Sequence, residues 1–241
     1  MEAAAYPYFR GHEITVPRGT IFSGGGCNVP RGTSAILNFA MATLTDSQIA
    51  EILAPYCAVD TTLAGKLSVY LDLLLRWNAR TNLTAIRSPE EIVRRHFGES
   101  LFAGMHLGDP LPSTLLDLGS GAGFPGLPIA LLRPRIAVTL AESQNKKSTF
   151  LREVIRTLGL RNVEVWAGRA EDFPEGRRFH TVTLRAVDNM QAALAAASSL
   201  AQVQMVLLAG SGAEPPPGHR FFETIAIPKS NASIVYRAIP K

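Results

Sequence analysis

The stretch Leu115-Leu116-Asp117-Leu118-Gly119-Ser120-Gly121-Ala122-Gly123-Phe124-Pro125-Gly126 decides how this chain folds. An apolar run that passes directly into a glycine cluster reads as a buried strand, a tight turn and the start of a helix. Glycines at such a turn let the backbone bend sharply and approach a ligand with no Cβ in the way. The segment Gly121–Gly126 also satisfies G-x-G-x-x-G. Taken alone, that spacing fits a dinucleotide site or simply a close strand-to-helix turn.

Downstream of Pro110 and Pro112, short β-rich runs alternate with helical ones. Thr114–Leu118, Ile136–Ala141, Val163–Ala167, Thr181–Leu184 and Met205–Leu208 read as strands, and Lys146–Leu158 as a helix stopped by Gly159. The alternation predicts an α/β fold: a parallel sheet with helices on both faces. After Pro215-Pro216-Pro217-Gly218, the runs Phe221–Ile227 and Ser233–Ile239 are expected to pair as a hairpin at the sheet edge.

Upstream, Leu63, Leu67, Tyr70, Leu71 and Leu74 form the stripe of an amphipathic helix. Thr45 and Gln48 spell a capping box. Ser88-Pro89-Glu90-Glu91 gives a second helix start, with Ser88 as cap, Pro89 in the first helical position and Glu91 placed to close the box. Three regions are therefore expected: a disordered extension over 1–44, an N-terminal helical cap over 45–110 and a core over 111–241. Met41, just ahead of the first capping box, is an expected translation start.

Composition narrows the classes. Of 241 residues, 46% are hydrophobic and 18% charged, a globular balance. The apolar stretches Leu63–Leu75 and Met205–Ala209 are too short or too interrupted for a bilayer, and the first 40 residues lack the pattern of a secretory signal. Cys27 and Cys57 are the only cysteines, which argues against a disulfide framework or a cysteine metal cluster and points to a reducing cytoplasm. The net charge of +4 says little, but its distribution says more. Arg133 to Arg185 carries 11 Lys or Arg against 6 acids, and Arg76, Arg80, Arg87, Arg94 and Arg95 cluster earlier. Such patches are either solvated surface or phosphate contacts.

Glu142 ends the second expected strand, beside the glycine turn, where a carboxylate can accept both hydroxyls of an adenosine ribose. Gly168-Arg169-Ala170-Glu171-Asp172-Phe173 follows the third strand and can meet an adenine edge; Asp172 equally suits a turn cap. His96 reads as a packed, hydrogen-bonded ring. No further His, Cys or carboxylate stands at ligand spacing, so no metal is expected.

Several segments together resemble the RsmG (GidB) family of bacterial ribosomal RNA methyltransferases, in order and spacing from about Thr45 to Ala209. They are Trp77-Asn78-Ala79-Arg80-Thr81-Asn82-Leu83-Thr84, Arg95-His96, the Asp117–Gly126 turn, Lys146-Lys147 ahead of Phe150-Leu151, Arg169–Phe173 and Arg185-Ala186. The resemblance implies a Rossmann-like class I methyltransferase sheet and S-adenosylmethionine as donor. It also implies methyl transfer to N7 of a guanine in 16S ribosomal RNA, free or in a small-subunit particle. By matching position, Gly119, Phe124, Ala170, Glu171 and Arg185 become cofactor contacts, joining Gly121 and Glu142. Arg185 is also the candidate for positioning the reactants, while Arg94, Arg95, Lys146 and Lys147 are candidate RNA contacts. Two departures stand out: Ala209-Gly210 replaces a usual Lys-Gly pair, and Leu184 a usual serine.

Guanine N7 already presents a lone pair, so attack on a sulfonium methyl needs no general base. Holding the reacting atoms in line can by itself lower the barrier by up to roughly 7–11 kcal/mol. A monomer without metal is expected. Two rivals are weighed against this reading, a nicotinamide-dependent oxidoreductase built on Gly121–Gly126 and a non-catalytic RNA-binding relative.

Overall fold

The computed structural model describes residues 43–187, 189–210, 220–230 and 233–239. The expected disorder of the extension, the Met41 start and the Pro215–Gly218 loop lie outside them. Thr43 and Leu44, the described end of the extension, run against the second helix: the Thr43 N–H donates to Asp72 and Leu44 is buried.

The first helix, α1 (Asp46–Leu53), starts from the expected capping box, Thr45 and Gln48 satisfying each other's backbone N–H. Helix α2 (Thr61–Asn78) turns Leu67, Tyr70, Leu71 and Leu74 inward, as its period requires. A third helical run joins α3 (Pro89–Glu91), a π-helix (Ile92–Gly98) and α4 (Glu99–Met105). Ser88 caps it, accepting from the Glu91 N–H, but Glu91 does not close the box. Its carboxylate pairs with Arg94, a charged partner one turn on, while the Ser88 hydroxyl donates to Glu90.

Strands β1 (Thr114–Leu118), β2 (Ala137–Ala141), β3 (Val163–Trp166), β4 (Phe179–Arg185), β5 (Ala201–Gly210), β6 (Arg220–Ala226) and β7 (Ser233–Ile239) form one sheet in the order β3-β2-β1-β4-β5-β7-β6. The first five strands are parallel; β7 runs antiparallel to both β5 and β6. The expected hairpin is present, with its second strand on the inside.

Alternation along the strands builds two cores. Leu115, Val138, Leu140, Val206 and Leu208 face α2, α5 (Gly126–Leu132) and α6 (Asn145–Leu158), together with Tyr70, Phe97 and Phe150. Leu116, Leu118, Val182, Leu184, Met205 and Leu207 face α7 (Met190–Leu200). Helices thus cover both faces of a doubly wound, Rossmann-like sheet. Leu184, one of the two departures from the family pattern, is fully buried under α7. Ala209 pairs with Ile234 at the end of β5. No described helix is long and apolar enough to cross a membrane.

Candidate cofactor cleft and its surroundings

In a sheet of this order the chain reverses direction between β1 and β4, and the crevice beyond the strand ends at such a switch point is where ligands bind. A cleft of ≈ 390 Å³ lies there. Gly119 follows β1, Glu142 follows β2, Ala170 and Glu171 follow β3, and Val187 and Asn189 follow β4, all lining it. The far wall is α7, through Ala192, Ala193 and Ala196.

The glycines of the turn divide by role. Gly119 and Gly121 have φ of 72° and 58°, the left-handed region that side chains disfavour, yet a Cβ there would meet nothing closer than 3.5 Å and 3.9 Å. The main chain is bare at these two positions. Gly123 and Gly126 are instead required by the protein's own packing. A Cβ on Gly123 would stand 2.7 Å from the Tyr70 hydroxyl, and one on Gly126 2.8 Å from Asp117. Tyr70, wholly buried on α2, also donates its hydroxyl to the Ala122 carbonyl.

Glu142 is 6% exposed and holds the turn in place. Its Oε2 accepts from the Gly121 N–H at 2.9 Å and its Oε1 from the Gln144 N–H at 2.7 Å. A carboxylate oxygen has two lone pairs, so one acceptor site per oxygen remains for a diol. Asp117, under the turn, accepts from the Gly126 N–H at 3.0 Å and the Thr183 hydroxyl at 2.9 Å. Burial pushes its carboxyl up to about 6, against the pull of hydrogen bonds and Arg185.

Arg185 does not line this cleft. Its Nη2 donates to Glu99 Oε2 at 2.6 Å and to the Arg95 carbonyl at 3.0 Å, and its Nη1 lies 3.5 Å from the His96 carbonyl and the Ser100 hydroxyl. Glu99, only 1% exposed, receives the Ser230 hydroxyl on its other oxygen. This network bolts the end of β4 to the π-helix and to the turn after β6. Phe124 is also absent from the lining: it is stacked between Tyr70 (5.5 Å) and His96 (4.7 Å). The His96 Nε2 bonds Thr84 at 2.7 Å, and burial, then Arg185 and Arg95, lower its pKa to about 3. A neutral, packed ring results.

Of the candidate RNA contacts, Lys146 and Lys147 stand in the first turn of α6, right after Glu142, with Lys146 exposed. Arg94 and Arg95 ride on the π-helix, Arg94 against Glu91 and Arg95 3.9 Å from Glu99. Asp172 takes its cap role, accepting the Arg169 N–H. No group of three or more His, Cys, Asp or Glu among the described residues is placed to hold a metal. Sequence reading missed the α7 wall and Glu99. The alanines at 192, 193 and 196 were a visible signal of a helix face kept small, whereas nothing linked Glu99 to an arginine 86 positions later.

Comparison with known proteins supplies the remaining step. Against the solved crystal structure of magnesium protoporphyrin IX methyltransferase (ChlM) from Synechocystis PCC 6803 with bound SAM, the TM-score is 0.54 at 14% identity, covering 77% of this chain and 99% of that one. At that identity the likeness concerns the fold. Ribosomal RNA small subunit methyltransferase G of Stenotrophomonas maltophilia (strain K279a) is 43% identical over 157 residues, 65% of this chain and 73% of the relative. The protein of that name from Xanthomonas campestris pv. campestris (strain B100) is 41% identical over 158 residues, 66% and 73%. The family model described as GidB, rRNA small subunit methyltransferase G, matches residues 64–216. That span holds the glycine turn, Glu142 and the whole cleft, and the chain belongs to the rRNA small subunit methyltransferase G family.

Proposed function

We propose that this protein transfers a methyl group from S-adenosylmethionine to N7 of a guanine in 16S ribosomal RNA. It acts in this reading as a cytoplasmic monomer without a metal, with residues 111–241 as the catalytic core and 45–110 as a cap that helps hold the RNA. The observation that carries the proposal is the meeting of bare main chain at Gly119, the Glu142 carboxylate and the Ala170–Glu171 turn in one cleft, with Gly121 tied to it only through its N–H to Glu142, in a chain of this family.

The residues fit an adenosine-bearing cofactor. Glu142 offers its remaining acceptor sites to the ribose hydroxyls, Glu171 and the Ala170 backbone face the adenine edge, and Gly119 leaves the space a Cβ would fill. The cleft volume falls in the usual range of roughly 300–1,000 Å³ for small-ligand sites. When bound, S-adenosylmethionine supplies an electrophilic methyl on a sulfonium. The chain's own work is orientation. Glu142 fixes the turn through Gly121, and Asp117 anchors α5 through Gly126. Arg185 positions the π-helix, and so Arg94 and Arg95, relative to the strand ends. None of these groups needs to take a proton from N7.

The nicotinamide reading finds no support in the family match, and neither does a non-catalytic relative. The test is transfer of labelled methyl from S-adenosylmethionine to small-subunit RNA, with the product nucleoside identified. It is paired with a map of N7-methylguanine in 16S RNA from cells lacking the gene. Label in 7-methylguanosine, and one site lost from those cells, is the expected result. Tight binding of NAD with no methyl transfer would overturn the proposal.

A further inference from the structure

A second hollow of ≈ 490 Å³ lies away from the cofactor cleft, where the C-terminal end of α2 meets the middle of α6. Arg76, Trp77, Arg80, Thr81 and Glu153 line it. The Trp77 indole N–H donates to Glu153 Oε2 at 3.0 Å, and its ring packs edge-on to Phe150, which fixes the tryptophan while leaving it part exposed. Thr81 closes the helix end by donating to the Trp77 carbonyl.

The charges here are not balanced by the chain itself. Glu153 Oε1 has no hydrogen-bond partner among the described residues and is open to whatever enters the hollow. Arg76 reaches only the Asp72 carbonyl, and Arg80 forms no ion pair among the described residues, even though Glu153 lines the same hollow. The site therefore combines an indole, a carboxylate oxygen that lacks a donor, and two guanidiniums that lack an anion. A ligand that meets all three needs carries a flat π-face, adjacent N–H donors on one edge, and a phosphate. Among RNA nucleotides, guanine alone offers N1–H and N2–H side by side on its pairing edge. Exposed bases in RNA are characteristically stacked on aromatic rings and read along that edge.

We infer that this hollow is an accessory nucleotide site, one that takes an unpaired guanine of the RNA substrate next to the methylated residue. Trp77 stacks on the base, Glu153 accepts from its N1–H and N2–H, and Arg76 and Arg80 receive its flanking phosphates. The placement suits a single RNA strand serving both sites. Lys146, in the first turn of α6, and Glu153 are seven residues apart on that helix, about 10 Å along its axis, so an RNA backbone that meets Lys146 can run on to the hollow. The inference rests on the RNA-substrate reading above and adds to it a base preference outside the cofactor cleft.

The test uses the full-length protein and short oligouridylates that carry a single guanine, a single adenine or neither. Wild type is expected to bind the guanine-bearing strand about tenfold more tightly than the other two, the effect of one good two-point base contact. Glu153→Gln keeps an acceptor for the Trp77 N–H and should erase that preference while leaving uridylate binding unchanged. Arg76→Ala with Arg80→Ala should weaken all three strands and lower the salt slope by roughly 0.7 per lost phosphate contact. Both variants should bind S-adenosylmethionine as wild type does. Equal affinity of wild type for the guanine and adenine strands, or a preference that survives Glu153→Gln, would overturn the inference. Absence of methyl transfer by wild type would instead strike the proposed function, and the two failures are read from separate measurements.

Discussion

Two charged side chains end the strands on either side of β1, at the same edge of the sheet, and the protein treats them in opposite ways. Glu142, after β2, touches only backbone N–H groups and keeps acceptor sites turned toward a cleft. Arg185, closing β4, is held by Glu99, by two carbonyls of the π-helix and by Ser100. One orders its turn and, in the proposed function, holds the cofactor's ribose. The other is a fastening between strand and helix, made through Glu99 and the Arg95 and His96 carbonyls. Charged residues read from sequence as cofactor contacts at strand ends can thus differ in role, and their partners tell which.

Disrupting each arrangement in turn separates the two roles. Glu99→Ala leaves the Arg185 guanidinium buried without its counter-charge, and should cost about 3–5 kcal/mol of folding stability. Urea unfolding measures that loss, and S-adenosylmethionine affinity of the folded variant should stay close to wild type. Glu142→Ala should show the reverse pattern, with cofactor binding weakened by about 1–3 kcal/mol and stability changed less, as read by calorimetry and unfolding side by side. If both variants lost cofactor affinity equally, the distinction between the two strand ends would fail.

A third test concerns Asp117, which lies between them. Its carboxyl is raised to about 6, so the folded protein holds that proton where the unfolded chain has lost it. The stabilisation is complete below the ordinary value of 3.8 and disappears as pH rises through about 6. Asp117→Asn removes the titration. Between those pH values the stability of wild type relative to this variant should fall, and a constant difference would show that the carboxyl is not perturbed.

The smallest expected effect belongs to Lys146 and Lys147. Replacing both with Ala should lower the salt slope of RNA binding by up to about two units on duplex RNA, with cofactor affinity unaltered. An unchanged slope would place the RNA footprint on the cap, at Arg94 and Arg95.

The strands were legible from local composition because each is a short apolar run between turn residues, and the ladder confirms them to within a few positions. The exception is β5: Met205–Leu208 was expected, and pairing with β4 and β7 extends it to Ala201–Gly210. Polar Gln202 and Gln204 hid that extension. Gln204 is in fact buried, its amide donating to the Leu107 carbonyl and the Thr181 hydroxyl, a long-range match that no local pattern announces. The G-x-G-x-x-G spacing was legible too, but its meaning was not. Gly123 and Gly126 answer to Tyr70, Leu127, Asp117 and Leu140, so two of the three glycines of that fingerprint record packing that any tight strand-to-helix turn needs. The π-helix and the Glu99–Arg185 pair depend on contacts across most of the chain and left no periodic trace.

The Tyr70 phenol reaches from α2 to the Ala122 carbonyl and fills the space beside Gly123, and this makes the protein hard to dissect. A fragment beginning at residue 111 keeps every side chain that lines the cofactor cleft, yet it lacks the brace that shapes the turn at the cleft's floor. Such a fragment should bind S-adenosylmethionine poorly and regain affinity when a peptide spanning α1 and α2 is added in trans, whereas a peptide carrying Tyr70→Ala should not restore it. Titration of the fragment with each peptide would separate these outcomes. The helices ahead of the sheet cannot be exchanged freely for another module, because any replacement must also supply a group that supports Ala122.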